Sequence, residues 1–516
     1  MSGPTRDSGG VSRTRNVLSN WGAYVLGAVV NFFLAPFVVH SLGDASYGIW
    51  VLLGSLVGYL GLLDLGVRSA VTRYVARLHA QKDHDEASRV ASSALGIFTV
   101  AGLVAIAAAT VVAVVIDRVF QVPRDLVVAA RVVVVLGGIN VAVALVSGVF
   151  GGAVVGLQRF DRANAVEIVV GAFRVVAIVL TLKAGLGLVA LAGINLAASL
   201  LSGSAMYWLS RRLYPELRVV FGEFRRRHVN TILTFSISVL LLQASGMLIL
   251  YTDSVVIGAS LPVGMITLFA IAANLVEYAR SLVSGISYTV TPWVSALQAR
   301  DALHEVQQVL LDAARIATLV VLPIVITFML RGSTFIGLWM GPEYAGPSGE
   351  VLRILGLALS LAVGYQVMVA TMMGISRHDG LVAAFAIEAV CNIGLSVVWV
   401  QRYGIIGVAW GTTVPRVIAT VVFAPWYTRR VLGTPISRFW LDAWIRPAAA
   451  MILFAGGSYL VERWWIPTNL LYYFTQVALV LPLAAVGAWT VGITKKEKEA
   501  LLSRVFGERM VGRIGG

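Results

Sequence analysis

The run IFTVAGLVAIAAATVVAVVI at residues 97–116 contains no charged residue and is followed at once by Asp117 and Arg118. As a helix it would be about 30 Å long, which is the thickness of the hydrocarbon core of a bilayer. The whole 516-residue chain has the same character, with 58% apolar residues and a mean hydropathy of +0.84. Because backbone polar groups in lipid must be satisfied within their own segment, runs of this length predict helices rather than a β-barrel.

Apolar runs separated by polar residues predict an all-α integral membrane protein with about fourteen transmembrane helices. The first run is too long for the core of a signal peptide, so we expect it to remain as a membrane helix. The predicted helices are residues 17–40, 46–66, 90–116, 127–155, 164–183, 186–209, 230–252, 263–284, 308–330, 349–373, 380–400, 404–426, 440–461 and 469–492.

The distribution of basic residues predicts the orientation of these helices. With a cytoplasmic N-terminus, the inner segments hold 28 of the 40 lysines and arginines, whereas the outer turns hold six. This excess predicts that both termini are cytoplasmic. The net charge of +14 is therefore explained by membrane topology and by contact with anionic lipids, and we expect no nucleic-acid partner.

Two halves of the chain resemble each other. The sequence GLQRFD at 156–161 corresponds to GISRHD at 374–379 with an offset of 218 residues, and GLGLVA at 185–190 corresponds to GIIGVA at 404–409 with an offset of 219. Six helices therefore repeat as the next six, and both halves begin on the same side of the membrane. Parallel repeats of this kind form two lobes around a central cavity in transporters, which leaves two extra C-terminal helices.

The repeat and the polar stretches together predict the organisation of the chain. Its segments are a cytoplasmic N-terminal tail (1–16), an N-lobe of helices 1–6 (17–210), a basic cytoplasmic linker (211–229), a C-lobe of helices 7–12 (230–430), helices 13 and 14 (431–492) and a basic cytoplasmic tail (493–516).

Short motifs carry a resemblance to a known family. They are LG at 42–43, YGIW at 47–50, LDLG at 63–66, TRYVA at 72–76 and GIIGVAWG at 404–411. Over residues 15–430 the chain resembles the polysaccharide-transport family of bacterial lipid-linked oligosaccharide flippases, whose superfamily also includes multidrug antiporters and the lipid II flippase. The resemblance implies two six-helix lobes that alternate between inward-open and outward-open states.

Ionisable side chains inside predicted helices are the candidate site residues, because a charge in lipid is costly and usually faces a cavity or a partner. Arg174 is predicted about 15 Å deep in helix 5, with no evident partner at its depth. Glu388 and Arg416 are predicted about 20 Å deep on adjacent antiparallel helices, where they can meet. Two interpretations of this pair remain open: an ion pair that holds the helices together, or a proton-sensitive switch that releases Arg416 for an anionic cargo.

We assign Arg174, Arg416 and Arg68 to substrate binding, because a guanidinium binds phosphate oxygens in pairs. Glu388, Asp64 and Asp253 are candidates for gating or ion coupling. Asp64 and Arg68 are four residues apart near the inner end of helix 2, so they form either a pair within one helix or part of the cytoplasmic mouth. Asp253, near the outer end of helix 7, is interpreted mainly as an interface residue.

Several classes of function lack their sequence features. No glycine-rich loop ends in Gly-Lys-Ser/Thr, so ATP hydrolysis is not expected, and no histidines have the spacing of metal ligands. We therefore expect no cofactor. A membrane polymerase or ligase needs a catalytic loop on the outer side, but the longest predicted outer turn, residues 331–347, offers only Arg331 and Glu343.

The predicted function is therefore transport and not enzymatic catalysis. We expect an alternating-access flippase in the bacterial cytoplasmic (inner) membrane that moves a polyprenyl-diphosphate-linked oligosaccharide to the outer leaflet. The product would be a cell-surface polysaccharide, such as an exopolysaccharide or the O-antigen of lipopolysaccharide. The alternative is an ion-coupled multidrug antiporter of the same superfamily. Expected partners are the lipid-linked oligosaccharide, membrane lipids, H⁺ or Na⁺ as a coupling ion, and other polysaccharide assembly proteins.

Overall fold

The computed structural model describes residues 27, 30–220, 237–495 and 497–499. The predicted N-terminal tail, the predicted first helix up to residue 26 with residues 28 and 29, residues 221–236 and residues 500–516 lie outside this description. In chain order the helices are α1 Val30–Leu42, α2 Asp44–Leu60, α3 Val67–Ala80, α4 His84–Val119, α5 Val127–Gly156, α6 Phe160–Lys183, α7 Gly187–Leu213, α8 Ile237–Ser260, α9 Gly264–Gln298, α10 Leu303–Trp339, α11 Pro342–Gly374, α12 Asp379–Ile418, α13 Ala424–Leu432, α14 Ile436–Trp440, α15 Arg446–Ala450, α16 Ile452–Trp464 and α17 Leu470–Gly487.

Among the described residues, 12 helical stretches are long and apolar enough to cross a membrane. The stretch Asp379–Leu432 contains 54 residues, which is long enough for two crossings at about 1.5 Å per residue. Gly404 breaks this stretch with φ 58° and ψ −138°, a conformation that residues with a side chain rarely adopt. The short apolar helix α1, Val30–Leu42, overlaps the first predicted span, residues 17–40. The prediction of an all-α membrane protein with about fourteen crossings is therefore confirmed.

The chain forms two compact units, Met1–Thr267 and Leu268–Gly516. In the first unit α5 packs against α3, α4 and α7, and α6 lies beside α7. A buried apolar cluster joins Val71 of α3, Phe98 of α4 and Val149 of α5. Burial of these side chains against one another fixes the relative positions of α3, α4 and α5, and hence the direction in which their polar side chains point.

The second predicted helix is interrupted. A 3₁₀ turn at Gly61–Asp64 separates α2 from α3, and both Leu65 (φ 49°) and Gly66 (φ 73°) have left-handed backbones that an α-helix cannot continue through. A side-chain oxygen of Asp64 accepts a hydrogen bond from the backbone N–H of Arg68 at 3.3 Å, and the two charged groups lie 4.0 Å apart. Asp64 and Arg68 therefore pair as predicted, but across the break rather than within one helix, because Asp64 precedes the break and caps the start of α3.

In the second unit α10 packs along α11, and α16 and α17 pack against α10. A buried cluster joins Leu322 of α10, Phe454 of α16 and Val480 of α17. Gly487, at the end of α17, allows a very close approach, because a Cβ at this position would lie 1.7 Å from the carbonyl oxygen of Ala450. The second unit is thus tightly packed around its C-terminal helices.

The predicted outer turn at 331–347 is wrong. Helix α10 continues to Trp339 and α11 begins at Pro342, so only Met340 and Gly341 connect them. The polar residues in this part of the sequence suggested a loop, but they have partners inside the protein. Arg331 is only 1% exposed within α10.

Candidate functional site

A cleft of about 640 Å³ lies between α3, α5, α6 and α7 of the first unit. Its floor is formed by Gly148, Gly151 and Gly152 of α5, and no atom lies within 4 Å of the place that a Cβ of Gly151 would occupy. The volume falls within the range of roughly 300–1,000 Å³ that is typical of sites for small ligands. The absence of side chains along this face of α5 creates the space.

Three arginines line the cleft: Arg68 and Arg73 from α3, and Arg174 from α6. Arg174 is exposed and has no ion-pair partner among the described residues. Nη2 of Arg68 lies 3.5 Å from the carbonyl oxygen of Ala144, to which it donates a hydrogen bond. Nε and Nη2 of Arg68 both lie 3.1 Å from the position of a Cβ on Gly148, so the missing side chain makes room for the guanidinium. The cleft is therefore cationic.

The rest of the cleft is lined by hydroxyl groups and one carboxylate. Glu167 is the one acid among the described residues that line it, and Oγ of Ser202 donates a hydrogen bond to its Oε1 at 2.9 Å. Glu167 and Arg174 are seven residues apart on α6, which places them on the same face and about 10 Å apart along the helix. The remaining hydroxyl residues of the lining are Ser69, Thr72, Ser147 and Ser199.

The second unit contains the other predicted charges. Nε of Arg416 lies 2.6 Å from Oε1 of Glu388, so the predicted contact between them is confirmed. Glu388 lies before the break at Gly404 and Arg416 after it, so the pair joins the two parts of α12. The side chain of Glu388 is 2% exposed and that of Arg416 is 25% exposed. The guanidinium also lies 5.9 Å from the ring centre of Tyr365.

Several buried polar atoms near this pair have no hydrogen-bond partner in the described part of the chain: Oη of Tyr365, Oε2 of Glu388, Oδ1 of Asn392 and Oγ of Ser396. Nδ2 of Asn392 donates to Oγ1 of Thr412 at 2.8 Å, which gives a second polar link between the parts of α12. Unsatisfied buried polar atoms cost free energy, so their concentration here is unusual. A role of Glu388 as a switch stays a prediction.

The predicted site residues are thus distributed over both units. The structure brings Arg68 and Arg174 into one cleft, with Asp64 next to Arg68. Asp253 is buried in α8, beside the hydrogen bond between Tyr59 of α2 and Thr252 at 3.0 Å, and ion coupling by it stays a prediction.

Arg73 and Glu167 also line the cleft but were not among the predicted site residues. The seven-residue spacing between Glu167 and Arg174 was a usable signal, because it places both side chains on one face of a helix.

Two further arginines, Arg315 and Arg331 of α10, are completely buried. Nη1 of Arg315 donates to Asp442 at 3.3 Å, and its Nη2 donates to Asp312 at 2.6 Å and to Glu497 at 2.5 Å. Burial disfavours the charge of Glu497, but hydrogen bonds from Thr494 and Arg315 outweigh this effect and hold its pKa below the ordinary value.

Arg331 has a similar set of partners. Its Nε donates to Glu462 of α16 at 2.9 Å, and its Nη2 donates to Gln476 of α17. The guanidinium lies 4.6 Å from the ring centre of Tyr473, also in α17. The contacts of both buried arginines therefore attach the C-terminal part of the chain to α10.

The fold is similar to that of solved helical membrane transporters. The structure of the lipid II flippase MurJ in an inward closed conformation is similar with a TM-score of 0.73 and 14% identity, covering 92% of this chain and 98% of MurJ. An inward-facing multidrug resistance MATE family transporter is similar with a TM-score of 0.70 and 18% identity, covering 80% of this chain and 95% of that one.

The chain belongs to the family of polysaccharide biosynthesis proteins, whose model matches residues 14–298, more than half of its length. It is also 22% identical over 439 residues to the uncharacterized membrane protein EpsK of Bacillus subtilis (strain 168), covering 81% of this chain and 84% of EpsK. The resemblance inferred from the sequence motifs is thereby confirmed, and the protein is a multi-pass membrane protein of the polysaccharide biosynthesis family.

Proposed function

We propose that the protein is a flippase that moves a polyprenyl-diphosphate-linked oligosaccharide from the cytoplasmic to the outer leaflet of the bacterial inner membrane. The observation that carries the proposal is the cleft of the first unit, where Arg174 and Arg68 face open space. An arginine without an acidic partner inside a membrane helix is costly, unless a ligand supplies negative charge. The oxygens of a diphosphate supply that charge in the planar arrangement that a guanidinium binds.

The position of the cleft along the helices supports the direction of transport. The connections 81–83, 157–159 and 214–220 carry Lys82, Arg159 and Arg218, and we define this side of the first unit as the basic side. By the positive-inside rule the basic side is cytoplasmic, as are both termini. Arg73 lies seven residues before the end of α3 and Glu167 seven residues after the start of α6, so both are nearer the basic side. A head group that enters the cleft from the cytoplasm would therefore meet Arg73 and Glu167 first.

We further propose roles for the residues outside the cleft. Arg416 would bind phosphate after Glu388 releases it, and uptake of H⁺ by Glu388 would couple transport to an ion gradient. Asp253 remains a second candidate for H⁺ or Na⁺ coupling. Asp64 caps α3 and so sets the direction of Arg68, which lies twelve residues before the basic end of α3 and therefore deeper than Arg73.

Two other functions are less well supported. A multidrug antiporter would share the fold, but a cleft lined by three arginines and one acid repels organic cations. A polymerase or ligase would need a catalytic loop, whereas the connection that we expected to be the longest on the outer side consists only of Met340 and Gly341. Transport without covalent chemistry is therefore the function that the site supports best.

The test is the flipping of a fluorescent polyprenyl-diphosphate oligosaccharide in proteoliposomes. Arg174→Ala should slow flipping at least about tenfold, which corresponds to about 1.4 kcal/mol of lost phosphate binding. Gly151→Leu should also block flipping, because its side chain would extend into the cleft. The matched control is Gly171→Leu on α6, where a side chain also meets open space but does not line the cleft.

Two outcomes would contradict the proposal. If Arg174→Ala and Gly151→Leu flip the lipid at the wild-type rate, the cleft is not on the transport path. If the wild-type protein moves no lipid-linked sugar under any ion gradient but exports organic cations, the protein acts as a multidrug antiporter. Thermal unfolding of each variant shows whether a loss of flipping reflects a loss of folding.

A further inference from the structure

The two charged residues of α6 that line the cleft lie at different distances from the basic side. Counted from Phe160, where α6 begins, Glu167 is seven residues and Arg174 fourteen residues along the helix. These positions correspond to roughly 10 Å and 21 Å of helix. The guanidinium of Arg174 therefore lies deeper, whereas the carboxylate of Glu167 lies nearer the basic side, where sugars linked to a bound diphosphate would extend.

Glu167 forms no ion pair with the described arginines of the cleft, although Arg73 lies at about the same distance from the basic side. It is too far along α6 from Arg174 to form an ion pair, and its one hydrogen bond comes from Ser202. This bond occupies Oε1 and leaves Oε2 without a partner among the described residues. An ionised carboxylate only accepts hydrogen bonds, and each of its oxygens has two lone pairs. Glu167 can therefore accept hydrogen bonds from a ligand while it is held in place by Ser202.

We propose that Glu167 selects the head group: it favours an uncharged, hydroxyl-bearing sugar next to the diphosphate and disfavours an acidic sugar there. This inference rests on the proposed function and specifies its substrate class. Sugar hydroxyls donate to the carboxylate, and Ser199 and Ser202 of α7 offer further hydroxyl partners on the opposite side of the cleft. A carboxylate on the sugar would face Glu167 with like charge, which costs binding free energy.

The simpler role for Glu167 is structural, since the bond from Ser202 joins α6 to α7. The variant Glu167→Gln separates these roles, because a glutamine carbonyl still accepts from Ser202 but carries no charge. A structural role predicts that Glu167→Gln behaves like the wild type with every ligand. A selective role predicts a change that depends on the charge of the sugar.

The experiment measures binding to the purified full-length protein. The probes are two short-chain prenyl diphosphate sugars, one with a neutral N-acetylhexosamine and one with a uronic acid, and a prenyl diphosphate without sugar. We expect the wild type to bind the neutral probe about tenfold more tightly than the acidic one. Glu167→Gln should bring the two Kd values to within about threefold of each other, chiefly by improving binding of the acidic probe, and should leave the sugar-free probe unchanged.

The matched control is Glu86→Gln, a glutamate of the first unit that pairs with Arg89 at 3.3 Å and does not line the cleft. It should keep the wild-type ratio of Kd values. Three outcomes would overturn the selection by Glu167. They are equal affinity of the wild type for both sugars, a ratio of Kd values in Glu167→Gln that is unchanged from the wild type, and no binding of any probe. The flipping assay with Arg174→Ala tests the proposed function independently. If the protein flips lipid-linked sugar but does not discriminate between the two sugars, only the selection by Glu167 is contradicted.

Discussion

The two units place arginines within membrane helices in opposite ways. In the first unit Arg174 and Arg68 line an open cleft, and Arg174 has no acidic partner among the described residues. In the second unit Arg315 and Arg331 are completely buried, and each pairs with at least one acid from a distant part of the chain. A charge that the protein neutralises itself serves packing, whereas one that it leaves open is available to a ligand. The partners of an arginine, rather than its depth, therefore indicate its role.

The buried arginines also explain how the two C-terminal helices of the predicted fold are held. Arg315 and Arg331 are sixteen residues apart on α10, which is about 24 Å of helix. Arg315 holds Asp442 and Glu497, and Arg331 holds Glu462 and Gln476. Arg331 thus attaches α16 and α17 to α10, whereas Arg315 attaches the segments that precede α16 and follow α17. The apolar cluster around Phe454 lies between these two levels.

The largest effect on stability should come from Arg331→Ala. The substitution leaves Glu462 without its cation and Gln476, which is fully buried, without its donor. Removal of one partner from a buried pair costs about 3–5 kcal/mol of unfolding free energy. Thermal unfolding in detergent measures the loss. Arg174→Ala is the matched control and should change stability by less than about 0.5 kcal/mol. Similar losses in both variants would remove the distinction between the two kinds of arginine.

Substitution of two glycines, one in each unit, should show a smaller difference in stability. Gly487→Ala places a methyl group against the carbonyl oxygen of Ala450, a backbone atom that cannot rotate away, and we expect a loss of about 1–3 kcal/mol. Gly151→Ala points into the open cleft and should be neutral or stabilise α5 by up to about 1 kcal/mol. Melting temperatures of both variants test this difference. Equal stability would show that the second unit is not packed more tightly at α17 than the first unit is at its cleft.

The smallest effect should be the pH dependence due to Glu497. Its pKa is lowered in the folded protein, so its contribution to stability is fully present above its ordinary pKa of about 4.5. The contribution is lost as the pH falls through the lowered folded value. Glu497→Gln should therefore be less stable than the wild type at pH 7, and the difference should narrow as the pH falls below about 4.5. Unfolding curves at several pH values measure it, and a difference that grows on acidification would contradict the contact with Arg315.

Much of the fold followed from the sequence, because apolar length and polar punctuation determine where membrane helices lie. The contact between Glu388 and Arg416 was also predictable, since counting residues from a shared turn places both at one depth. The partners of the buried arginines were not predictable in this way. Asp442 is 127 residues from Arg315 and Glu462 is 131 residues from Arg331, and no periodicity links positions so far apart.

The full lining of the cleft could not be predicted from the sequence either. The sequence placed Glu167 and Arg174 on one face of a helix, but only tertiary packing shows that α3 and α7 complete the lining. The predicted second helix ended at residue 66, next to the break, but the sequence did not show that α3 begins directly after it and that Asp64 and Arg68 lie on opposite sides of the break. Polar residues at the end of α10 were assigned to a turn because their buried partners could not be seen.

The close approach of Arg68 to Gly148 has a consequence for how this protein can change during evolution. A Cβ at position 148 would lie 3.1 Å from Nε and Nη2 of Arg68, so the guanidinium would have to move aside by a few tenths of an ångström, and a larger side chain would displace it further. The two positions, 80 residues apart in sequence, are therefore expected to vary together across related chains. A relative with alanine or a larger residue at 148 should carry a shorter side chain at 68, and its phosphate contact would then have to come from another residue.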